Sequence, residues 1–257
     1  MNIHLQEKKL NKVFLFDVDG TLSYNGIIPE SALLALEALR KKGYKVMLAT
    51  GRCLAQLKDI LSNIKIDGAI ICNGSYAFLD ERTIFDSPIP KEVLFELFPY
   101  LQKKNIGSAY LGIDFFKTIS KMENLQLLSL AFSIKLPEFN DEMYKKNNVY
   151  SLGIYTKKDI SRIIEKHQEL KFVKVADGVY DVFNKGVSKA SAVNILKNNY
   201  EAYAFGDNDN DIEMLKAANF SFAMKNGSEN AKRSAKYIAD NALNDGIYKA
   251  LKEFKLI

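Results

Sequence analysis

Val13-Phe14-Leu15-Phe16-Asp17-Val18-Asp19-Gly20-Thr21-Leu22 is the stretch whose reading decides the fold. Four consecutive apolar residues stop at a carboxylate. A short all-apolar run suits a strand buried on both faces of a parallel sheet. Asp17 and Asp19, one residue apart, are costly neighbours, because like charges repel and raise each other's pKa. A cation between them offsets that cost, and hard oxygen ligands favour Mg²⁺ or Ca²⁺. Gly20 lets the backbone turn sharply and come close to whatever sits there. Read alone, the stretch also fits a strand running into an ordinary Asp-rich turn.

Outward from this stretch, Pro29-Glu30-Ser31 opens a helix with Leu33, Leu36 and Leu39 on one face. Arg40-Lys41-Lys42 complement its dipole and Gly43 stops it. Lys45 to Ala49 reads as a second buried strand, ending in Thr50-Gly51-Arg52. Leu54, Leu57, Ile60, Leu61 and Ile64 form one apolar stripe, which predicts a helix. A strand from Gly68 to Cys72 then ends in Asn73-Gly74-Ser75. This β-α-β-α-β order predicts a parallel sheet with right-handed crossovers. The pattern resumes at Gly186, with a helix opening at Ser188 and a strand from Glu201 to Phe205. Gly206-Asp207-Asn208-Asp209-Asn210-Asp211 follows, then a helix (Ile212 to Ala218), strands at Phe220–Met224 and Tyr237–Ala239, and a closing helix after Asp245-Gly246-Ile247.

Between Thr83 and Phe183 the alternation changes. Helices are expected around Lys91–Lys103 and Lys158–Glu169, with strands at Ser108–Ile113 and Val149–Tyr155. A hairpin-like pair is expected at Phe172–Val175 and Val179–Phe183, and Glu123–Asp141 carries the weakest pattern. The expectation is α/β: a doubly wound, Rossmann-like core of residues 1–82 and 184–257, with an α+β domain inserted at 83–183.

Three apolar strands end in polar motifs, at Asp17, Thr50 and Asp207. Ligands of open parallel sheets bind outside the carboxyl ends of the strands, so these residues are expected in one crevice. Asp209 or Asp211 also suits capping of the next helix. The D-x-D-x-D spacing is no calcium loop, because Ile212 and Ala218 stand where an EF-hand needs Gly and Glu. Thr50-Gly51 can cradle a phosphate at a helix start, although no Walker loop is present. Lys189 stands at another helix start; by composition alone it reads as a solvated lysine. Arg52 and Cys53 read as structural.

Composition narrows the function classes. The chain has 257 residues, 47% hydrophobic and 26% charged, which is that of a globular protein large enough for one or two domains. Its net charge of +5 comes from dispersed lysines, which suits anionic substrates and gives no basic patch for nucleic acid. No apolar run approaches the roughly 18 residues of a membrane span. Met1 to Lys12 is polar, without a signal-peptide core, and a cytoplasmic protein is expected. Cys53 and Cys72 provide no disulfide framework, and Cys72 reads as a small buried hydrophobe. His4 and His167 are too few for a histidine metal site.

The set Asp17-Val-Asp-Gly-Thr21, Thr50-Gly-Arg52, Lys189 and Gly206-Asp-Asn-Asp-Asn-Asp211 resembles the haloacid dehalogenase superfamily. More narrowly it is similar to the Cof-type phosphatases, whose large type IIB (C2B) cap is inserted between the second and third motifs. Asn73-Gly74, Gly186-Val-Ser-Lys189 and Asp245-Gly-Ile247 also look Cof-like. The resemblance implies Asp17 as nucleophile, forming an aspartyl-phosphate, and Asp19 as general acid and base. It implies Mg²⁺ held by Asp17, the Asp19 carbonyl and Asp207, with Asp211 steadying the metal shell. Thr50, Gly51, Lys189, Asn210 and the N–H groups of Val18 and Asp19 would grip the phosphoryl oxygens. Dehalogenases of the superfamily lack the second aspartate, so Asp19 favours phosphate chemistry. The expected substrate is a small phosphorylated metabolite such as a sugar phosphate, pyridoxal phosphate or flavin mononucleotide. The alternatives are a phosphomutase and a non-catalytic phosphometabolite-binding regulator. Asp114, Phe115, Asp177 and Tyr180 are the cap positions proposed to meet the leaving group. Oligomeric state is not legible.

Overall fold

The computed structural model describes residues 11–131 and 135–257. The reading of Met1–Lys12 therefore lies almost wholly outside the described residues, as do residues 132–134 of the weakly patterned segment. The strands, in chain order, are β1 (Asn11–Phe16), β2 (Lys45–Ala49), β3 (Gly68–Ile71), β4 (Tyr76–Leu79), β5 (Arg82–Asp86), β6 (Gly107–Leu111) and β7 (Phe116–Thr118). They continue with β8 (Glu138–Phe139), β9 (Ser151–Tyr155), β10 (Leu170–Ala176), β11 (Val179–Asn184), β12 (Tyr200–Gly206), β13 (Phe220–Met224) and β14 (Tyr237–Ala239). The fold is mixed α/β with a parallel-sheet core. It divides into two compact units, one taking the chain up to Leu48, Lys65–Gly68 and Ala192–Ile257, the other Ala49–Ile64 and Ala69–Ser191.

In the first unit the strand order is β14-β13-β12-β1-β2, and each neighbouring pair is parallel. The apolar run Val13–Phe16 is fully buried, as an interior parallel strand requires. Register puts Phe16 beside Phe205 and Phe205 beside Phe222. Their rings stack at 5.0 and 4.5 Å between centroids, a ladder that ties three strands together just below their carboxyl ends. The helix Glu30–Lys41 buries Ala32, Ala35, Leu36 and Leu39, while Leu33, expected on that face, is half-buried. Gly43 ends the turn after it at φ +76°.

In the second unit, β4 and β5 form an antiparallel hairpin that the sequence did not announce. Its two-residue turn is Asp80-Glu81, with φ of 49° and 63°. Such a turn normally advertises itself with Asn-Gly or Asp-Gly. A six-stranded sheet, ordered β10-β11-β9-β6-β7-β8, fills the region expected to be α+β. The expected hairpin is present as β10 and β11, antiparallel and longer than its apolar residues suggested. The helix Lys91–Lys103 buries Leu94, Leu97, Phe98 and Leu101 in a cluster with Tyr110, Leu152, Ile154 and Val182. The helix expected at Lys158–Glu169 is confined to Ser161–Lys166. The stripe from Leu54 to Ile64 is broken into a 3₁₀ turn (Leu54–Gln56) and a four-residue helix (Lys58–Leu61). The Leu54 amide is drawn out to the Ile113 carbonyl at 2.8 Å, which pins that end of the segment. Leu57, Ile60 and Ile64 are nevertheless buried. No helix among the described residues is long and apolar enough to cross a membrane.

Candidate active site

In the first unit, the chain leaves β1 through a turn closed by its own backbone. The Asp17 amide still donates to Phe205 O at 2.9 Å, continuing the ladder. Leu22 N then donates to Asp17 O (3.1 Å), Ser23 N to Val18 O (2.8 Å) and Gly20 N to Ser23 O (2.7 Å). The turn gives the two carboxylates different surroundings: Asp17 is 6% exposed, whereas Asp19 is open to solvent. Gly20 has φ +92°, and a Cβ there would come 2.4 Å from Asp207 Oδ2. No other residue satisfies both the backbone angle and that approach. Thr21, fully buried, donates its hydroxyl to Asp207 Oδ1 at 2.8 Å.

Asp211 organises the loop after β12. It is fully buried, and its Oδ2 accepts from Asp207 N (3.0 Å) and Asn208 N (3.1 Å). A Cβ on Gly206 would come 2.7 Å from Asp211 Cβ, so this glycine makes room for the anchoring side chain. Carboxylate oxygens of Asp17, Asp207 and Asp211 lie within 4.8 Å of one another. Three acidic groups this close, two of them buried, repel strongly unless positive charge is shared among them. Their hard oxygen donors suit a small divalent cation. Asn210 is exposed in the 3₁₀ turn Asp209–Asp211.

Asp209 does not cap the following helix. Asp211 stands at the cap position of the helix Ile212–Ala217 but makes no side-chain cap bond to it, Asn208 caps the 3₁₀ turn Asp209–Asp211, and the Asp209 carboxylate accepts from Ser228 Oγ (2.7 Å) and Asn230 Nδ2 (3.3 Å). Ser228 also donates its amide to Asp207 O at 2.7 Å and caps the helix Glu229–Ser234. Asn226 Nδ2 reaches Gly20 O at 2.8 Å. The sequence reading passed over this Asn226–Asn230 segment. Its one legible signal was Ser228 at the start of a helix.

In the second unit, Thr50 directly follows β2 and is 2% exposed. Its amide donates to Ile70 O (2.8 Å), its carbonyl accepts from Asn73 N (3.1 Å) and its hydroxyl accepts from Arg52 N (3.2 Å). Gly51 lies against the Asn73 side chain: a Cβ there would come 2.9 Å from Asn73 Oδ1. Gly74, at φ +101°, lies so close to Ser188 that a Cβ would meet its carbonyl oxygen at 2.1 Å. The turn Cys72–Gly74 thus touches both the Thr50 and the Lys189 segments. The Lys189 side chain is 1% exposed, against the solvated reading its composition suggested. Burial of an ammonium is retained only where its charge is used. Arg52 Nη1 donates to Gln56 O and Cys53 is buried, in keeping with structural roles.

Of the cap positions, Phe115 and Tyr180 are partly buried against the hydrophobic cluster of this unit. Asp177 is exposed and pairs with Lys157 (3.6 Å) and Lys174 (3.4 Å). Asp114 is exposed between β6 and β7.

The family profile of haloacid dehalogenase-like hydrolases matches residues 14–251. YkrA of Bacillus subtilis strain 168, provisionally named a phosphatase, is 26% identical over 255 residues, covering 96% of this chain and 99% of its own. The crystal structure of a hypothetical protein from Geobacillus kaustophilus HTA426 superposes with a TM-score of 0.88 at 26% identity, covering 96% of this chain and all of that one. The HAD subclass IIB sugar phosphatase BT4131 superposes with a TM-score of 0.79 at 28% identity, over 96% and 100% of the two chains. The chain belongs to the haloacid dehalogenase-like hydrolases. Within that family it is a phosphoric monoester hydrolase, similar to the Cof-type enzymes of subclass IIB.

Proposed function

We propose that this protein is a Mg²⁺-dependent phosphatase that hydrolyses small phosphomonoesters through an aspartyl-phosphate on Asp17. The observation that carries the reading is the cluster of Asp17, Asp207 and Asp211 carboxylates within 4.8 Å. Asp17, the Asp19 carbonyl and Asp207 would hold the ion, and Asp211 keeps the Asp207 loop in place. When bound, Mg²⁺ supplies the charge neutralisation that lets an anionic nucleophile meet an anionic ester.

A carboxylate oxygen of Asp17 attacks phosphorus, the ester P–O bond breaks, and Asp19 gives its proton to the leaving alkoxide. Water then attacks the aspartyl-phosphate while Asp19 takes a proton from it; inorganic phosphate leaves and Asp17 is regenerated. The contrast in exposure supports this division, because a nucleophile benefits from a fixed, enclosed position. The acid must meet both alcohol and water. Thr50, Gly51, Lys189, Asn210 and the amides of Val18 and Asp19 bind the phosphoryl oxygens, where they stabilise charge in the transition state. The deep burial of the Thr50 hydroxyl and the Lys189 ammonium supports that role.

The catalytic core would comprise 1–82 and 184–257 and the cap 83–183, with the cytoplasm as compartment. A small phosphorylated metabolite is the proposed substrate: a sugar phosphate, pyridoxal phosphate or flavin mononucleotide. The sugar phosphatase BT4131 supports the first of these. The test is phosphate release from a panel of such esters, with Mg²⁺ and with EDTA, beside Asp17→Asn. Metal-dependent release that the substitution abolishes supports the reading. Failure of the unaltered protein to release phosphate from any ester in Mg²⁺ contradicts it.

A further inference from the structure

Asp181 lies on β11, and strand register pairs it with Gly153 of β9. The Tyr155 hydroxyl lies over Gly153, where a Cβ would come within 2.0 Å of it. Asp181 therefore faces Tyr155 of β9, with Cys72 and Asn73 of the turn after β3, and burial pushes its pKa up to about 6. Burial also raises the Tyr155 hydroxyl and the Cys72 thiol. Asn73 Nδ2 donates to Asp181 Oδ2 at 3.0 Å. A carboxylate only accepts hydrogen bonds, so it dictates which end of the Asn73 amide faces it. The other end, Oδ1, is turned onto Gly51. Around this contact, Cys72 and Asn73 adopt φ of 50° and 56°, and their amides donate to Arg52 O and Thr50 O. One left-handed turn thus braces Thr50-Gly51-Arg52 and is itself held by Asp181.

We propose that Asp181 is a positioning residue that orients the Asn73 amide and, through it, holds Thr50–Gly51 in the shape that receives the phosphoryl group. The proposal rests on the reading of Thr50 and Gly51 as phosphate-binding. A half-buried carboxylate is an expensive way to satisfy one amide, since a neutral partner would serve the fold as well. Its acceptor-only character is what an orienting role needs.

The test is steady-state hydrolysis of p-nitrophenyl phosphate and thermal unfolding, between about pH 5 and 8, a range that spans an ordinary histidine-like titration. It compares the parent with Asp181→Asn, Asn73→Ala and the double variant. Asp181→Asn is isosteric, so folding is kept. We expect kcat/KM to fall about tenfold at neutral pH, chiefly through KM, with the unfolding midpoint held or raised. The parent-to-variant ratio, in which the substrate's own titration cancels, should fall towards one below pH 6, and the double variant should be no worse than Asn73→Ala. An unchanged rate, an additive double variant, or a rate loss matched by a lower midpoint overturns the proposal. Thr50→Ala separates the two claims. If it raises KM while Asp181→Asn does nothing, the Asp181 role alone fails; if it leaves KM unchanged, the phosphate-loop reading fails and the proposal with it.

Discussion

Glycine 20 shows how tightly single residues constrain this site. Its φ of +92° and the 2.4 Å approach to Asp207 mean that Gly20→Ala meets both backbone strain and a carboxylate. We expect it to cost about 1–3 kcal/mol in denaturant unfolding and to weaken Mg²⁺ binding, because the collision displaces Asp207. Asp181 makes the complementary prediction with pH. Its folded pKa of about 6 lies above the ordinary 3.8. The stability this group lends is therefore full below pH 3.8 and is lost as pH rises through 6. Asp181→Asn should be the more stable protein at pH 7.5, by up to about 3 kcal/mol, with the advantage vanishing near pH 4. Unfolding midpoints measured across that range check the sign. Asp17, Asp19 and Asp207 were legible as residues because acidic side chains at the ends of apolar strands need a chemical reason. Asn73 was legible only within the Asn73-Gly74 motif at the end of an apolar strand, and Asp181 was not legible. Their pairing joins positions 108 apart, which no spacing reveals.

At the scale of elements, the parallel strands were readable because burial on both faces forces a continuous apolar run, as in Val13–Phe16 and Val46–Ala49. Their register was not readable, yet it sets the aromatic ladder Phe16–Phe205–Phe222 beneath the site. Phe205→Ala should cost about 3–5 kcal/mol in chemical unfolding, the range for a buried aromatic removed from a packed core. The hairpin β4–β5 escaped notice because Asp80-Glu81 lacks the glycine of a typical two-residue turn. The stripe from Leu54 to Ile64 misled in the opposite direction: its apolar spacing is helical and Leu57, Ile60 and Ile64 are buried, yet the backbone forms a 3₁₀ turn and one four-residue helix. Ser228 links element to site, because it caps its helix and holds Asp207 O and Asp209. Ser228→Ala should lower stability by about 1 kcal/mol and raise the Mg²⁺ concentration needed for half-maximal activity. A change in stability alone would show that the segment supports the helix and not the site.

For the whole molecule, the carboxylate cluster of Asp17, Asp207 and Asp211 makes cation binding a property that the fold itself should report. A cation that relieves repulsion among Asp17, Asp207 and Asp211 should stabilise the fold. At a hundredfold excess over its dissociation constant, the gain is about 2.7 kcal/mol, read as an upward shift of the unfolding midpoint that EDTA reverses. Family membership follows from a match across almost the entire chain, whereas no spacing rule connects any side chain of residues 83–183 to a ligand. The most direct test of the central claim is rapid acid quenching of the enzyme during turnover of a phosphomonoester with Mg²⁺, followed by peptide mass spectrometry. One phosphoryl group is expected on the peptide carrying Asp17, labile to hydroxylamine and missing in Asp17→Asn. Phosphate release at full rate with no phosphoryl group on Asp17 at any quench time, or full turnover by Asp17→Asn, would contradict it.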